Sequence, residues 1–197
     1  MQDAFVGNWA QESHLSAEIL GSLRDLNHRF LDLTAARSTD WVAGRVAPLS
    51  AAQRAAAADC PYALFDLRFQ DDGHWRLRLQ GSGAWCVADE TVVDDETTDF
   101  VRLALFYAWH VASSAGLKAQ LLLGMSGTTV TAFRRITVNQ LPPLVATEAA
   151  YLSLRWSGCT AYWSALTAAA SRAEPAALRR IQLYGLQLAA AARLSNP

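Results

Sequence analysis

The sequence predicts a mainly α-helical fold, built from a duplicated small helical domain with a helix-turn-helix-like element and one short β-hairpin. Apolar residues recur at helical spacing through most of the chain, and two segments 87 residues apart share a pattern. A third stretch alternates apolar and basic residues around a turn sequence. We expect a first copy with an acidic connector over residues 1–98 and a second copy over residues 99–197.

The composition is that of a folded globular chain. Hydrophobic residues make up 52% and charged residues 18% of the 197 positions, which excludes a disordered protein. No apolar run reaches the roughly 18 residues that a transmembrane helix needs. The N-terminus lacks the early basic residue and the apolar core of a secretory signal. We therefore expect a cytoplasmic protein that does not insert into a membrane.

The net charge of −1 conceals an uneven distribution of charge. Residues 1–100 carry 16 acidic and 8 basic side chains, whereas residues 101–197 carry 2 acidic and 9 basic ones. Such a split indicates two surfaces with different tasks. It is equally consistent with attraction between the two halves, or with a solvated acidic linker between Asp89 and Asp99.

The first half contains two helical patterns. Residues 16–36 carry an apolar stripe at alternating spacings of four and three, which predicts an amphipathic helix. The stripe consists of Ile19, Leu23, Leu26, Phe30 and Leu33. Ser50 and Gln53 form a capping box, so a helix is expected to start at Ser50 and to end before Pro61.

Residues 62–80 have a different character. Apolar residues alternate with arginines on both sides of Asp71-Asp72-Gly73, which predicts the β-hairpin. The alternating positions are Leu67, Arg68, Phe69, Trp75, Arg76, Leu77, Arg78 and Leu79. The acidic stretch that follows, as far as Asp99, is expected to be an irregular connector.

The second half is predicted to be helical almost throughout. Helices are expected over residues 99–115, 117–123, 128–136, 144–156, 159–172 and 175–194. The first of these is apolar nearly all round, as is typical of a buried central helix. Pro175 suits the first turn of the last helix.

The repeat consists of two matched patterns. Leu49-Ser50-x-x-Gln53 with Leu67-Arg68-Phe69 corresponds to Ile136-Thr137-x-x-Gln140 with Leu154-Arg155-Trp156. A tryptophan follows in each copy, Trp75 in the first and Trp163 in the second. The spacing predicts duplication of a small helical domain. In the second copy Pro142 and Pro143 follow closely, so its helix starts at Thr137 or at Asn139.

Residues 122–135 have the pattern of a helix-turn-helix core. Gly124 is placed to make the turn, and Met125, Val130 and Phe133 occupy the inward positions. Arginine can reach phosphates or guanine edges, and threonine can reach phosphates or a thymine methyl group. The candidate DNA-binding residues are Lys118, Thr128, Thr131, Arg134 and Arg135. The alternative is a helical hairpin that packs inside the protein.

These residues resemble the family of the flagellar transcriptional activator FlhD. The resemblance runs through Gly124-Met125-Ser126, both Gln-containing patterns and Leu154-Arg155-Trp156, and it covers about two thirds of the chain. It implies an all-helical bacterial regulator that works through a dimer and a partner subunit, FlhC. That partner family carries a zinc-binding cysteine cluster, which this chain lacks.

Two departures from the family matter. FlhD-like chains hold one copy of the unit, whereas this chain holds two, which implies a fused arrangement that resembles a dimer. The first copy has Arg37 at the position of Gly124, so only the second copy keeps the glycine of the turn. The first copy is therefore expected to have lost any DNA-reading role.

No pattern in the sequence indicates catalysis. The three cysteines are widely separated and the four histidines share no helical spacing, so we expect no metal site. Gly81-Ser82-Gly83 lacks the lysine of a phosphate-binding loop. His110 lies on an apolar helix and is expected to be a core residue. We expect no catalytic residue and no cofactor.

Two functions follow from these observations. The protein is either a transcriptional regulator that contacts duplex DNA through residues 126–135, or an adaptor or subunit of a secretion or motility system that binds no DNA. Both act through a protein partner or a homo-oligomer. The basic second half favours the first function, and the overall acidity of the chain favours the second.

Overall fold

Ten α-helices and two short strands make up the part of the chain described by a computed structural model, namely residues 3–37, 41–80 and 93–194. The mainly α-helical prediction is confirmed. The helices are α1 (Asp3–Ala36), α2 (Ala43–Val46), α3 (Ala51–Ala58), α4 (Asp72–Gln80), α5 (Asp95–Ser114), α6 (Gly116–Leu123), α7 (Gly127–Phe133), α8 (Leu141–Glu148), α9 (Thr160–Ser171) and α10 (Pro175–Leu194). The strands are β1 (Phe65–Asp66) and β2 (Ser153–Leu154).

Helix α1 contains the predicted amphipathic segment and extends beyond it to Asp3. All five residues of its apolar stripe are buried. Asn27, which is also buried, donates from Nδ2 to the carbonyls of Ala58 and Tyr62 and accepts from the amide of Leu64. This one side chain therefore holds the end of α3 and the approach to β1 against α1.

The capping box at the start of α3 is confirmed. The Ser50 hydroxyl accepts from the amide of Gln53, and the Gln53 side chain accepts from the amide of Ser50 at 2.8 Å. The helix ends at Ala58, as expected from the proline at position 61.

The predicted β-hairpin over residues 62–80 is wrong. Strand β1 pairs antiparallel with β2 from the other half of the chain, and residues 72–80 form helix α4. The Asp71 carboxylate accepts from the amide of His74 at 2.9 Å, so it caps a helix and does not start a hairpin turn. Leu77, which an alternating strand would bury, is 74% exposed.

Part of the predicted acidic connector is helical. Residues 81–92 lie outside the described residues, but α5 already begins at Asp95. The Asp94 carboxylate caps it by accepting from the amide of Thr97 at 2.7 Å. Asp95 and Glu96 lie in the first turn, where the helix dipole favours negative charge. The Arg37 guanidinium contacts Asp94 at 2.8 Å and ties this end of α5 to the end of α1.

The other helices of the second half occur as predicted, apart from their ends and one segment. The expectation that His110 on α5 is a core residue is wrong, because its side chain is exposed. Helix α7 ends at Phe133 and not at position 136. The helix predicted over residues 144–156 is wrong in its second part, because α8 ends at Glu148 and the chain continues through a 3₁₀ turn into β2. A 3₁₀ turn over Val138–Gln140 precedes α8, and Pro142 and Pro143 fall in the tolerant first turn of the helix.

Corresponding elements of the two halves coincide at the predicted offset. Helices α1 and α6 end at Ala36 and Leu123, and helices α2 and α7 end at Val46 and Phe133, in both cases 87 residues apart. In the strand pair, Asp66 faces Ser153, again 87 residues on. Residues face their own equivalents in this way at the two-fold axis of a symmetric dimer. These coincidences support the duplication, which stays a prediction.

Helices of one half pack on the other half. Helix α4 lies against α7, and α9 lies against α3. One hydrophobic core includes buried residues from both halves, among them Phe65, Phe69, Trp75, Phe133 and Trp163. Because α4 packs on α7, a helix of the first half lies beside the helix that sequence analysis singled out for DNA contact.

Candidate interaction site around helix α7

The turn between α6 and α7 has the predicted form. Gly124 adopts a left-handed conformation with φ of 75° and ends α6. The Ser126 hydroxyl accepts from the amide of Thr129 at 2.9 Å and starts α7. The three inward positions are buried, with Phe133 fully so. The sequence therefore folds locally as two short helices joined at a glycine.

The buried side chain of Arg155 packs against this turn. Its Nη1 donates to the carbonyl of Leu122 at 2.8 Å, and its guanidinium lies 4.6 Å from the ring centre of Trp156. A Cβ on Gly124 would come within 2.6 Å of Nη2. Desolvation by burial lowers the pKa of Arg155 to about 10, which still leaves it charged at neutral pH. Sequence analysis noticed Arg155 only as a repeated position.

The five candidate DNA-binding residues do not share one face. Thr128, Thr131, Arg134 and Arg135 are all exposed. Lys118 is half-buried, and its ammonium donates to the Ser16 hydroxyl at 2.7 Å, toward α1.

The two arginines that follow α7 also point to different neighbours. The guanidinium carbon of Arg134 lies 3.9 Å from the position of a Cβ on Gly116, beside the start of α6. Arg135 instead lines a groove that residues of α4 also line. The two arginines therefore lie on different surfaces, one beside α6 and the other beside α4.

A groove of about 630 Å³ runs along the surface where α4 and α7 meet. It is lined by Asp72, Trp75, Arg76, Leu79, Gly127, Thr128, Thr129, Thr131, Ala132 and Arg135. The ring of Trp75, which lines the groove, meets the ring of Phe133 edge to face, with centres 4.7 Å apart. Three of the predicted DNA contacts thus lie in a concave surface that α4 shares.

Asp72 places a carboxylate at the N-terminus of α7. It accepts hydrogen bonds from the hydroxyls of Ser126 and Thr129. The amide of Ser126 also donates to the carbonyl of Phe69 at 3.2 Å, so the chain before α4 contacts the residue that caps α7. The start of α7 is therefore already occupied by negatively charged and carbonyl oxygens of the first half.

A buried ion cluster fixes α4 against α8. Glu148 is fully buried, and its two carboxylate oxygens meet His74 Nε2 at 2.7 Å and Arg78 Nε at 3.0 Å. The ring of Tyr151 packs against the His74 ring and the Arg78 guanidinium. Sequence analysis missed this cluster, because Glu148 lies 74 positions after His74 and 70 after Arg78, and no local pattern connects them.

A second buried polar cluster holds α10. The hydroxyls of Tyr62 and Tyr162 lie 3.1 Å apart, and α10 approaches so closely that a Cβ on Gly185 would overlap Tyr62. Burial raises the pKa of the Cys60 thiol beside them to about 12. This thiol is therefore protonated at neutral pH and is a poor nucleophile.

Within the part of the chain that the structure describes, no three histidine, cysteine or acidic side chains are grouped as a metal site would need. Nor does any described helix have the length and apolar character to cross a membrane. No protein-family model, curated protein or solved structure matches the chain. The resemblance to the FlhD family therefore depends on the sequence patterns alone.

Proposed function

We propose that the protein is a non-enzymatic bacterial regulatory protein that resembles FlhD and acts through protein–protein contacts, without reading duplex DNA. In this proposal the chain is a single-chain counterpart of a dimer. It serves as an adaptor or subunit in a regulatory, motility or secretion system, in the cytoplasm.

The position of Asp72 is the observation that carries this proposal. A recognition helix enters the major groove with its N-terminal residues toward the bases. Here the N-terminus of α7 holds the Asp72 carboxylate, bonded to Ser126 and Thr129. The end of α7 that would enter the groove therefore carries a negative charge, and the phosphates on both sides of the groove would repel it.

The distribution of the basic residues supports the same conclusion. Arg134 and Arg135 follow the last residue of α7, at the end away from Asp72. They face different sides of the helix, and α4 lies along one of these sides. To contact both arginines, a DNA duplex would have to reach the side of α7 that faces α6 as well as the groove that α4 shares.

Exposed leucines on neighbouring helices offer a surface for a protein partner. Leu117 and Leu121 on α6 are 69% and 42% exposed, and Leu183 and Leu186 on α10 are 61% and 38% exposed. Helices α6 and α10 are in contact. Exposed apolar side chains on two helices in contact are typical of protein–protein interfaces.

Matched hydrogen bonds support the single-chain dimer. The indole N–H of Trp75 donates to the carbonyl of Arg68, and that of Trp163 donates to the carbonyl of Arg155, each at 3.1 Å. The backbone amides of Ser50 and Thr137 donate to the side chains of Gln53 and Gln140, each at 2.8 Å. Two copies of one folding unit would share such bonds.

DNA binding is the second candidate function. It is favoured by the glycine turn between α6 and α7 and by the exposed threonines and arginines of α7. In this candidate, α7 of the second copy reads the duplex, and Lys118 contacts a phosphate.

Fluorescence anisotropy with mixed duplex DNA fragments, at low ionic strength and then with rising salt, separates the two candidates. The protein-contact function predicts no salt-dependent binding, and it predicts the same result for Arg134→Ala/Arg135→Ala as for the wild type. Binding that weakens with salt and is lost in this variant, but not in the matched control Arg179→Ala/Arg180→Ala on α10, would establish DNA contact by α7 and contradict the proposal.

A photo-crosslinking amino acid tests the apolar surface directly. Placed at Leu117, it is expected to give one discrete protein adduct in the native cells, whereas the same probe at exposed Arg102 on α5 gives none. Equal adducts at both positions, or none at either, would contradict a partner surface at α6 and α10.

A further inference from the structure

We propose that the groove between α4 and α7 binds a small amphipathic anion, that is, a molecule with an apolar body and one carboxylate, sulfonate or phosphate head group. This inference goes beyond the proposed function. The proposed function needs only protein–protein contacts, whereas this inference gives the protein a small-molecule ligand as well.

The size and floor of the groove set the class of ligand. Its volume of about 630 Å³ lies within the roughly 300–1,000 Å³ usual for small-ligand sites. Trp75, Leu79 and Ala132 supply apolar lining between the two helices. An apolar body of modest size would remove this surface from water.

The charges of the groove select an anion. Arg76 on α4 and Arg135 after α7 both line it and are exposed, and neither forms an ion pair within the described residues. Among the described lining residues only Asp72 is acidic, and it already accepts two hydroxyl hydrogen bonds at the opposite end of α7. Two guanidinium groups that form no ion pair with the described part of the chain are well suited to a carboxylate, sulfonate or phosphate.

Both walls of the groove are fixed before any ligand arrives. Trp75 is tied to the Arg68 carbonyl, and His74 and Arg78 on the same helix bind the buried Glu148. The opposite wall begins at the turn that Arg155 supports. A preformed site loses little conformational entropy on binding, which favours measurable affinity for a small molecule.

The corresponding place in the first half lacks these groups. The positions 87 residues before Thr128, Thr131 and Arg135 hold Trp41, Gly44 and Pro48. Both hydroxyls and the cation are therefore absent from that copy. If the chain arose by duplication, the ligand groups belong to one copy and are not a general feature of the unit.

Fluorescence titration with 1-anilinonaphthalene-8-sulfonate tests the site in the full chain. The wild type is expected to bind one equivalent saturably, and Arg76→Gln/Arg135→Gln to bind about tenfold more weakly, since charge-assisted contacts are lost. The control Arg179→Gln/Arg180→Gln removes the same charge beside the exposed leucines of α10 and is expected to bind like the wild type. Equal affinity in all three proteins, or an equal loss in both variants, would overturn the proposal.

Competition identifies which part of the ligand is recognised. Decanoate is expected to displace the dye, whereas decanol and inorganic phosphate at the same concentration are not. Displacement by decanol would show that the arginines are not used, and displacement by phosphate would show that the apolar floor is not; either result contradicts the proposal. Ala132→Leu keeps both arginines but puts a larger side chain into the groove, so it is expected to weaken dye binding. Unchanged dye binding in this variant would show that the dye binds elsewhere.

Discussion

Gly124 and Arg155 fit together at the turn between α6 and α7. The backbone of Gly124 is left-handed, and the space that a Cβ would need is taken by the guanidinium of Arg155, 2.6 Å away. That guanidinium also donates a hydrogen bond to the carbonyl of Leu122. Arg155, which directly follows β2, therefore holds the turn that positions α7. The orientation of α7 is thus set from within the core.

Substitution of Gly124 by alanine is expected to destabilise the protein. The left-handed backbone alone costs an alanine about 1–2 kcal/mol, and displacement of Arg155 adds to this. Urea unfolding measures the change. Gly158→Ala is the control, because its Cβ would meet nothing within 4 Å and its φ is not positive, so its free energy of unfolding should stay near the wild-type value. Equal stability of both variants would show that the turn is not held as described.

Loss of Glu148 is expected to be far more costly than loss of an exposed acid. Glu148→Leu leaves His74 and Arg78 without their buried partner, and breaking such a pair costs about 3–5 kcal/mol. Glu174→Leu removes an exposed partner of Arg172, and such pairs contribute at most about 1 kcal/mol. Chemical unfolding of both variants checks the difference, and similar losses would contradict the role of the cluster.

The Asp94 cap should make stability depend on acid pH. Hydrogen bonds from Thr97, together with the charge of Arg37, lower the pKa of Asp94 below its ordinary value of 3.8. A lowered pKa contributes stability that is present above 3.8 and is lost as the pH falls through the folded-state value. Asn caps a helix as well as Asp but does not titrate. Asp94→Asn should therefore lose less of its free energy of unfolding than the wild type below pH 3.8, and parallel curves would contradict this assignment.

The Cys60 thiol should resist alkylation in the folded protein. Burial raises its pKa to about 12, so little thiolate exists at pH 8. In a Cys86→Ser background, iodoacetamide should modify half-buried Cys159 first, and Cys60 far more slowly, until denaturant unfolds the chain. Mass spectrometry of the peptides reports both sites. Comparable rates would show that the Tyr62–Tyr162 cluster is open to solvent.

Local patterns sufficed to predict most of the helices. The stripe of α1, the capping box of α3 and the glycine between α6 and α7 act through neighbouring residues, so the sequence carries them directly. The hairpin prediction was wrong because Asp71-Asp72-Gly73 suits a helix cap as well as a turn. Contact of α4 with α7 and α8 decided between the two, and no local pattern contains that information.

The candidate site was predicted only in part. The exposure of Thr128, Thr131, Arg134 and Arg135 follows from helical periodicity. Their division between two surfaces depends on where α4 packs, which is a long-range property. No local pattern distinguishes Glu148 in the sequence, and only the fold places it between His74 and Arg78.

Proton NMR can observe the packing of α4 on α7, on which the proposed function depends. The ring centres of Trp75 and Phe133 lie 4.7 Å apart, so their ring protons should give nuclear Overhauser cross-peaks. We expect these cross-peaks in the free protein, and we expect them to be unchanged after excess duplex DNA is added at low salt. If they are absent, or are lost when DNA is added, α4 leaves α7 free to read the duplex and the proposed function is wrong.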